Sequence, residues 1–293
     1  MALGGVTIRA AVVAAAGALA LAGCRLGGGE VAARDDGPRL AALSAVQPVA
    51  LGKQHVATRC TGNKGEPAVL LLSGYDVPMS SWDDVQAQVG AFARVCTYDR
   101  LGVGGSDAAH GQRTFTDLAG DLDQVVDVLG LTRPVVLVAQ DIGGLVAASW
   151  AVDHPEDLAG LVLVDATPPG YAESALELLP SGSPAWDDWE RLMSAASNDE
   201  RLDGQRAFAA TKSFPVLGDV PLVALTRSIS DYGPIKPGIA AALDSAWTGG
   251  QQQWTELSSL GRMQTVDRAG HEIQRDQPGS VVDAVREVVG AGS

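Results

Sequence analysis

The 293-residue chain is 46% hydrophobic, ample for the buried core of one large α/β domain or two small ones. Its 21 Lys and Arg against 35 Asp and Glu give a formal net charge of -14, which repels a nucleic-acid backbone and excludes nucleic acid as a partner. The same acidity keeps an exported protein soluble, so it carries no information about the charge of a substrate.

The first segment reads as an export signal. Arg9 supplies a positive n-region, residues 10–22 form an apolar run too short to span a bilayer comfortably, and Leu21-Ala22-Gly23-Cys24 closes it. Leu-Ala-Gly-Cys resembles the bacterial lipoprotein box, whose cysteine is lipidated and becomes the new N-terminus. That resemblance implies a signal peptide over residues 1–23 and a membrane anchor at Cys24, stable once two or more acyl chains are attached. The other reading is an ordinary secretory signal with an incidental cysteine. Residues 24–45, with Gly27-Gly28-Gly29 and Asp35-Asp36-Gly37-Pro38, read as a flexible tether, and residues 46–293 as the folded domain. Cys60 and Cys96 remain: two cysteines in an exported protein invite a disulfide, with buried free thiols as the alternative. Without a nearby histidine they do not complete a zinc site, so no metal is expected.

Cys60 ends a strand-like run at residues 55–59. From residue 66 onward short apolar runs at residues 68–72, 94–98, 134–139, 160–164, 221–225 and 263–266 alternate with helical spacing at 82–94, 116–131, 145–154 and 280–289. This alternation predicts a mostly parallel sheet covered by helices on both faces. Residues 168–214, rich in acids and holding Trp186 and Trp189, break the rhythm and read as a cap inserted over one end of the sheet. Ligands of such sheets bind beyond the carboxyl ends of the strands, so the loops after the strands are the candidate site.

After the run at 134–139 comes Ala139-Gln140-Asp141-Ile142-Gly143-Gly144, leading straight into a helix. Strand, small-x-nucleophile-x-Gly and helix resembles the nucleophile elbow of the α/β-hydrolases, a cramped turn that tolerates only small neighbours. Most members carry serine at its centre. Haloalkane dehalogenases, epoxide hydrolases and fluoroacetate dehalogenases carry aspartate, and Asp141 matches their version. Residues 98–107, Tyr-Asp-Arg-Leu-Gly-Val-Gly-Gly-Ser-Asp, resemble the loop after the fourth strand of the same superfamily; lacking the P-loop Lys and Ser/Thr, their glycines read as turn residues. Ala269-Gly270-His271, after the final strand, matches the superfamily's histidine loop, whereas His55, His110 and His154 read as strand, loop and helix-end surface residues.

The resemblance, over about residues 54–288, implies an α/β-hydrolase fold of eight-stranded type with a small helical cap. It makes the strands of Cys60 and Cys96 sheet neighbours, within disulfide reach. It assigns Asp141 as nucleophile on a small organic substrate, with an alkyl-ester intermediate, and His271 as base for the water that cleaves it. The oxyanion donors become the N–H groups of Tyr75 and Ile142, and no cofactor is implied. The acid partner of His271 is Asp165, after the run at 160–164, or alternatively Asp231, after the run at 221–225. Two departures stand out. Haloalkane dehalogenases place tryptophan after the nucleophile and often asparagine in the oxyanion loop, where this chain has Ile142 and Tyr75. Epoxide hydrolases usually have His-Gly-x-Pro where this chain has Ser73-Gly74-Tyr75-Asp76; Tyr171 in the cap is a candidate to assist an epoxide oxygen. Residues 94–100 and 161–166 look more like exported serine esterases, which keeps a second reading open: a serine-esterase descendant that is a weak enzyme or a non-catalytic binding lipoprotein.

Overall fold

A computed structural model describes residues 42–62 and 65–291. The expected signal peptide, the lipidation site Cys24 and most of the tether lie outside the described residues. Among the described residues no helix is long and apolar enough to cross a membrane.

Eight strands form one sheet: β1 (Gln47–Leu51), β2 (Gln54–Thr61), β3 (Val69–Leu72), β4 (Val95–Tyr98), β5 (Val135–Gln140), β6 (Leu158–Val164), β7 (Leu222–Arg227) and β8 (Gly261–Val266). Their order is β1-β2-β4-β3-β5-β6-β7-β8. β2 runs antiparallel to both β1 and β4, and every other pairing is parallel. The central strands β3 and β5 are buried on both faces, which is why they read as unbroken Val/Leu runs with no polar alternation.

Helices α1 (Asp83–Val89), α2 (Phe115–Val128), α3 (Gly143–Asp153), α4 (Tyr171–Leu178), α5 (Pro184–Leu192), α6 (Gly204–Ala210), α7 (Pro237–Thr255), α8 (Ile273–Asp276) and α9 (Pro278–Ala291) complete the fold. Two apolar clusters, one containing Leu122, Leu137 and Trp150 and the other Val69, Val162 and Val285, flank the sheet and bury its two faces. α1 stops short of its expected end at Gly90, five residues before β4. α2 begins where Thr114 and Asp117 form a reciprocal capping box, giving its first turn partners for two orphan N–H groups. The stretch 168–214 holds α4, α5 and α6. Sequence spacing missed α7, although Pro237 opens it and Leu243, Trp247 and Trp254 are buried at helical intervals. α7 packs Leu243 and Trp247 against Tyr171, Ala175 and Leu179, tying the stretch around α4 to the body.

Cys60 and Cys96 face one another in the antiparallel β2–β4 register, with Cα atoms 4.0 Å apart, and are joined by a disulfide. This pins β2 to the strand that leads into the loop beginning Asp99-Arg100. In that loop Asp99 accepts from the N–H groups of Met79 and Gly105, and Gly104 has φ +54° with a virtual Cβ only 2.1 Å from the Asp99 carboxylate. Its glycines are there for turning and close approach, as read from the sequence.

Candidate active site

β5 ends at Gln140 and α3 begins at Gly143, leaving two residues to reverse the chain. Asp141 takes φ +52°, a left-handed conformation costly for any residue with a Cβ. The turn closes only because its neighbours are small. A Cβ on Gly143 would lie 2.9 Å from the Ser73 carbonyl oxygen, and one on Gly144 would lie 2.5 Å from the Ala166 Cβ. On the loop after β3, a Cβ on Gly74 would meet the Gln140 side-chain oxygen at 2.2 Å and the Asp141 Cβ at 2.8 Å. The strained bend thus lifts one carboxylate out of the sheet and brings the loop after β3 beside it.

The Asp141 carboxylate is engaged on both oxygens. Tyr75 N–H donates to Oδ2 at 3.0 Å, and the Thr167 hydroxyl donates to Oδ1 in a short hydrogen bond. The His271 Nε2 atom stands 3.7 Å from Oδ1. The N–H of Ile142, the other expected oxyanion donor, has no hydrogen-bond partner among the described residues and remains open to a charge developing above Asp141. Burial pushes the Asp141 carboxyl upward, but the nearby His271, the Thr167 hydroxyl and the Tyr75 N–H outweigh it and hold the group well below the usual carboxylate range.

On its far side His271 Nδ1 lies 2.7 Å from Asp165 Oδ2. Asp165 is completely buried at the end of β6, itself at φ +45°, and also accepts from Arg227 Nη1 at 2.8 Å, Arg227 N–H at 3.1 Å and Trp247 Nε1 at 2.8 Å. Burial disfavours its charge, but His271, the Arg227 guanidinium and the Arg227 N–H lower its pKa below the ordinary value. Asp231, the alternative acid, is exposed, makes no hydrogen bond or ion pair with His271 among the described residues, and accepts the N–H of Gly233 at 2.9 Å. His271 is raised to about 10: burial opposes the charge, and the flanking Asp141 and Asp165 carboxylates override it. The two carboxylates thus favour the charged form of the imidazole. His55 pairs with Asp107, and His154 stacks on Trp150, both away from this cluster.

Sequence reasoning missed Thr167, Trp247, Arg227 and Gln140. The Gln140 amide nitrogen lies 3.2 Å from His271 Nε2. The Arg227 guanidinium sits 4.1 Å over the Trp247 ring, and Trp247 meets the His271 ring edge-on at 5.6 Å, so α7 fixes both the acid and the imidazole. Asp141 and His271 open into a cavity of about 520 Å³ walled by Tyr171, Trp189, Tyr232 and Trp247. Among the described residues no His, Cys, Asp and Glu group has the arrangement of a metal site.

Comparison with known proteins identifies the family of the fold. The chain is 34% identical to epoxide hydrolase 4 of Mus musculus over 106 residues, covering 36% of this chain and 29% of that protein. It is 30% identical to a fluoroacetate dehalogenase of Burkholderia sp over 118 residues, covering 39% of this chain and 38% of that protein. The chain thus matches about a third of the length of these two relatives. A thermophilic esterase from Thermogutta terrifontis shares the fold, with a TM-score of 0.58 and 21% identity over 86% of this chain and 99% of that one. Residues 67–271 match the family described as alpha/beta hydrolase fold, and the chain belongs to that family.

Proposed function

We propose that the chain is a hydrolase with Asp141 as nucleophile and a covalent alkyl ester as intermediate. With Oδ2 held by Tyr75 N–H, Oδ1 attacks an electrophilic carbon of a small organic substrate, forming a C–O bond while the bond to halide or epoxide oxygen breaks. Once its proton has passed to the opened epoxide oxygen, or to solvent beside the released halide, His271 takes a proton from water, whose oxygen adds to the Asp141 carbonyl carbon. The oxyanion forms on Oδ2, beside Tyr75 N–H and the open N–H of Ile142. Collapse breaks the bond from Cγ to the esterified oxygen, which takes the proton from His271 and leaves as the alcohol; the acid that remains, with one oxygen from water, gives its proton to His271 and the carboxylate is regenerated. The observation that carries this reading is the Asp141 carboxylate, ionised at neutral pH, set between an oxyanion donor and an imidazole braced by Asp165. The walls do not separate the two substrate classes: the Trp247 indole N–H is committed to Asp165, and the Tyr232 hydroxyl donates to Asp244 and pairs with Tyr171. Arg227 is engaged by Asp165 and Tyr232, which favours a neutral substrate over a carboxylate.

His271→Gln tests this. Incubated with a panel of neutral epoxides and haloalkanes, the variant should gain the mass of the substrate, or of the alkyl group, on the peptide carrying Asp141. An unmodified mass throughout the panel points instead to the second reading, a serine-esterase descendant that retains the pocket without turnover. One observation favours that reading: Thr167 and His271 both engage Oδ1, the oxygen that has to attack. Asp141→Ser would then gain hydrolysis of p-nitrophenyl esters.

We also propose that the chain is exported and anchored to the outer face of the membrane through lipid on Cys24, with secretion in soluble form as the alternative. Globomycin should block its processing, and Cys24→Ala should release it from the membrane fraction; a wild type that is freely soluble refutes the anchor.

A further inference from the structure

A second buried charge cluster lies outside the Asp141–His271–Asp165 group. Arg100, in the loop after β4, and Glu200, between α5 and α6, are 5% and 1% exposed. Their contact is two-pronged: Arg100 Nε donates to Glu200 Oε2 at 2.7 Å and Nη2 to Oε1 at 2.9 Å. Burying such a pair costs several kcal/mol per ion before attraction repays it, so pairing alone is a weak reason for its presence. What the pair grips is more informative. The other N–H groups of the guanidinium donate to the carbonyl oxygens of Ser73 and Gly74, the latter at 2.7 Å, and Glu200 Oε1 also accepts Asp76 N–H at 2.9 Å. The cluster therefore holds backbone groups on both sides of Tyr75.

One geometric step links this grip to the nucleophile. The Gly74 carbonyl and the Tyr75 N–H belong to the same planar trans peptide, so they point in opposite directions. Arg100 holding the oxygen on one side fixes the direction of the N–H on the other, and that N–H donates to Asp141 Oδ2. The next residue, Asp76, has φ +54°, a conformation that persists only where surroundings enforce it, and the Glu200 bond to its N–H supplies the constraint. Glu200 is itself fastened to the body. Arg113 N–H donates to the Arg201 carbonyl at 3.0 Å, Asp203 N–H donates to the Arg113 carbonyl at 2.8 Å, and Gly102 lies so close that a Cβ there would meet the Asp199 carbonyl oxygen at 2.2 Å.

We propose that Glu200, acting through Arg100, is a positioning residue: the insertion between β6 and β7 holds the Gly74–Tyr75 peptide so that its N–H serves as the oxyanion donor. The insertion thereby completes the donor site besides bordering the cavity. The effect is one of direction, because Glu200 balances the Arg100 charge and the pair adds little net field at Asp141. The geometric claim is independent of the reading of Asp141 as nucleophile; only its kinetic consequence rests on that reading.

Hydrogen–deuterium exchange on the full chain tests the geometry. In Glu200→Gln, which loses one prong of the fork, the amides of Tyr75 and Asp76 should exchange at least about tenfold faster, with residues 136–139 of β5 unchanged. Glu173→Gln, which breaks the surface pair with Lys212 in the same insertion, should leave both segments as in the wild type. Unchanged exchange at residues 75–76, or an equal rise across the sheet, overturns the proposal. Should Glu200→Gln fail to fold, Arg100→Lys, whose ammonium cannot hold the carboxylate fork and both carbonyls together, is held to the same two outcomes. The kinetic arm follows the Asp141 ester: Glu200→Gln should slow its hydrolysis by about 10- to 100-fold while its formation changes less, as for loss of aim in one oxyanion donor. An ester whose formation and breakdown slow equally counts against positioning. Absence of any ester in the wild type defeats the proposed function alone, and exchange still decides the inference.

Discussion

Thr167→Val is the most informative single change in the Asp141 cluster. The two side chains are nearly isosteric, so the substitution opens no cavity; it replaces the hydroxyl that donates to Asp141 Oδ1 with a methyl group. Thr167 is fully buried, but Asp141 borders the cavity, from which water can partly replace the missing donor. A hydrogen bond to a charged acceptor contributes about 1.5–3 kcal/mol, and this partial replacement places the case toward the lower end. The variant should therefore be less stable by about 1.5–2 kcal/mol in urea denaturation near pH 7, with an unchanged m-value. The Asp141 carboxyl should titrate closer to the ordinary range, a shift followed by NMR of a carboxyl-labelled sample. Because the bond favours the ionised form, its contribution is present above the unfolded carboxylate value of about 3.9 and is lost as pH falls through the folded one. A variant as stable as the wild type, within about 0.5 kcal/mol, would show that the hydroxyl does not hold the carboxylate.

Gly74→Ala drives a methyl toward the Gln140 amide and the Asp141 Cβ, and should cost about 1–3 kcal/mol of stability and reduce ester hydrolysis by about 10²- to 10³-fold as the Tyr75 donor is displaced; chemical denaturation and single-turnover kinetics measure the two. Reducing the Cys60–Cys96 bond, which closes a loop of sequence separation 36, should destabilise the fold by roughly 3–4 kcal/mol through chain entropy, read as a lower urea midpoint in dithiothreitol and absent in Cys60→Ala/Cys96→Ala. His271, raised to about 10, should stabilise the fold fully below its unfolded value of about 6.5 and lose that contribution as pH rises through the folded value. Asp141 and Asp165, both lowered, act at the other end, losing theirs as pH falls. Thermal melts should thus peak between about pH 4 and 6.5, and Asp141→Asn should flatten the alkaline limb.

What the sequence disclosed and withheld follows from how local each constraint is. Gly143 and Gly144 were legible because the strand–turn–helix pattern that carries them spans six residues, although the atoms that exclude a Cβ, the Ser73 carbonyl oxygen and the Ala166 Cβ, come from other loops. The Cys60–Cys96 pairing needed only the strand order, and the family resemblance supplied that. The choice between Asp165 and Asp231 was not local: both follow strands, and only the three-dimensional path of the His271 loop brings the imidazole to the first and leaves the second in solvent. Thr167 carries no signature, being one threonine in a loop whose partner lies 26 residues earlier. Trp247 was hidden because Gly249, Gly250 and three consecutive glutamines dilute the apolar spacing of α7. Glu200 and Arg100 stand 100 residues apart, with no pattern at either end to name the other.

The charges of the cluster bear on which chemistry fits it. A serine nucleophile needs a neutral imidazole at the outset, because its hydroxyl must lose a proton to attack. Here the imidazole lies between the Asp141 and Asp165 carboxylates, which raise its pKa and favour its charged form. An ionised carboxylate needs no base, so the first step of the proposed reaction makes no demand on a neutral His271. Alkylation then converts Asp141 from an anion to a neutral ester and removes one of the two charges that raise the His271 pKa. Asp165 remains, but its charge is shared with Arg227, Trp247 and the N–H of residue 227. In the proposed reaction the same histidine becomes easier to deprotonate when a base is required. An uncharged residue at position 141 would remove one of the two charges that raise its pKa.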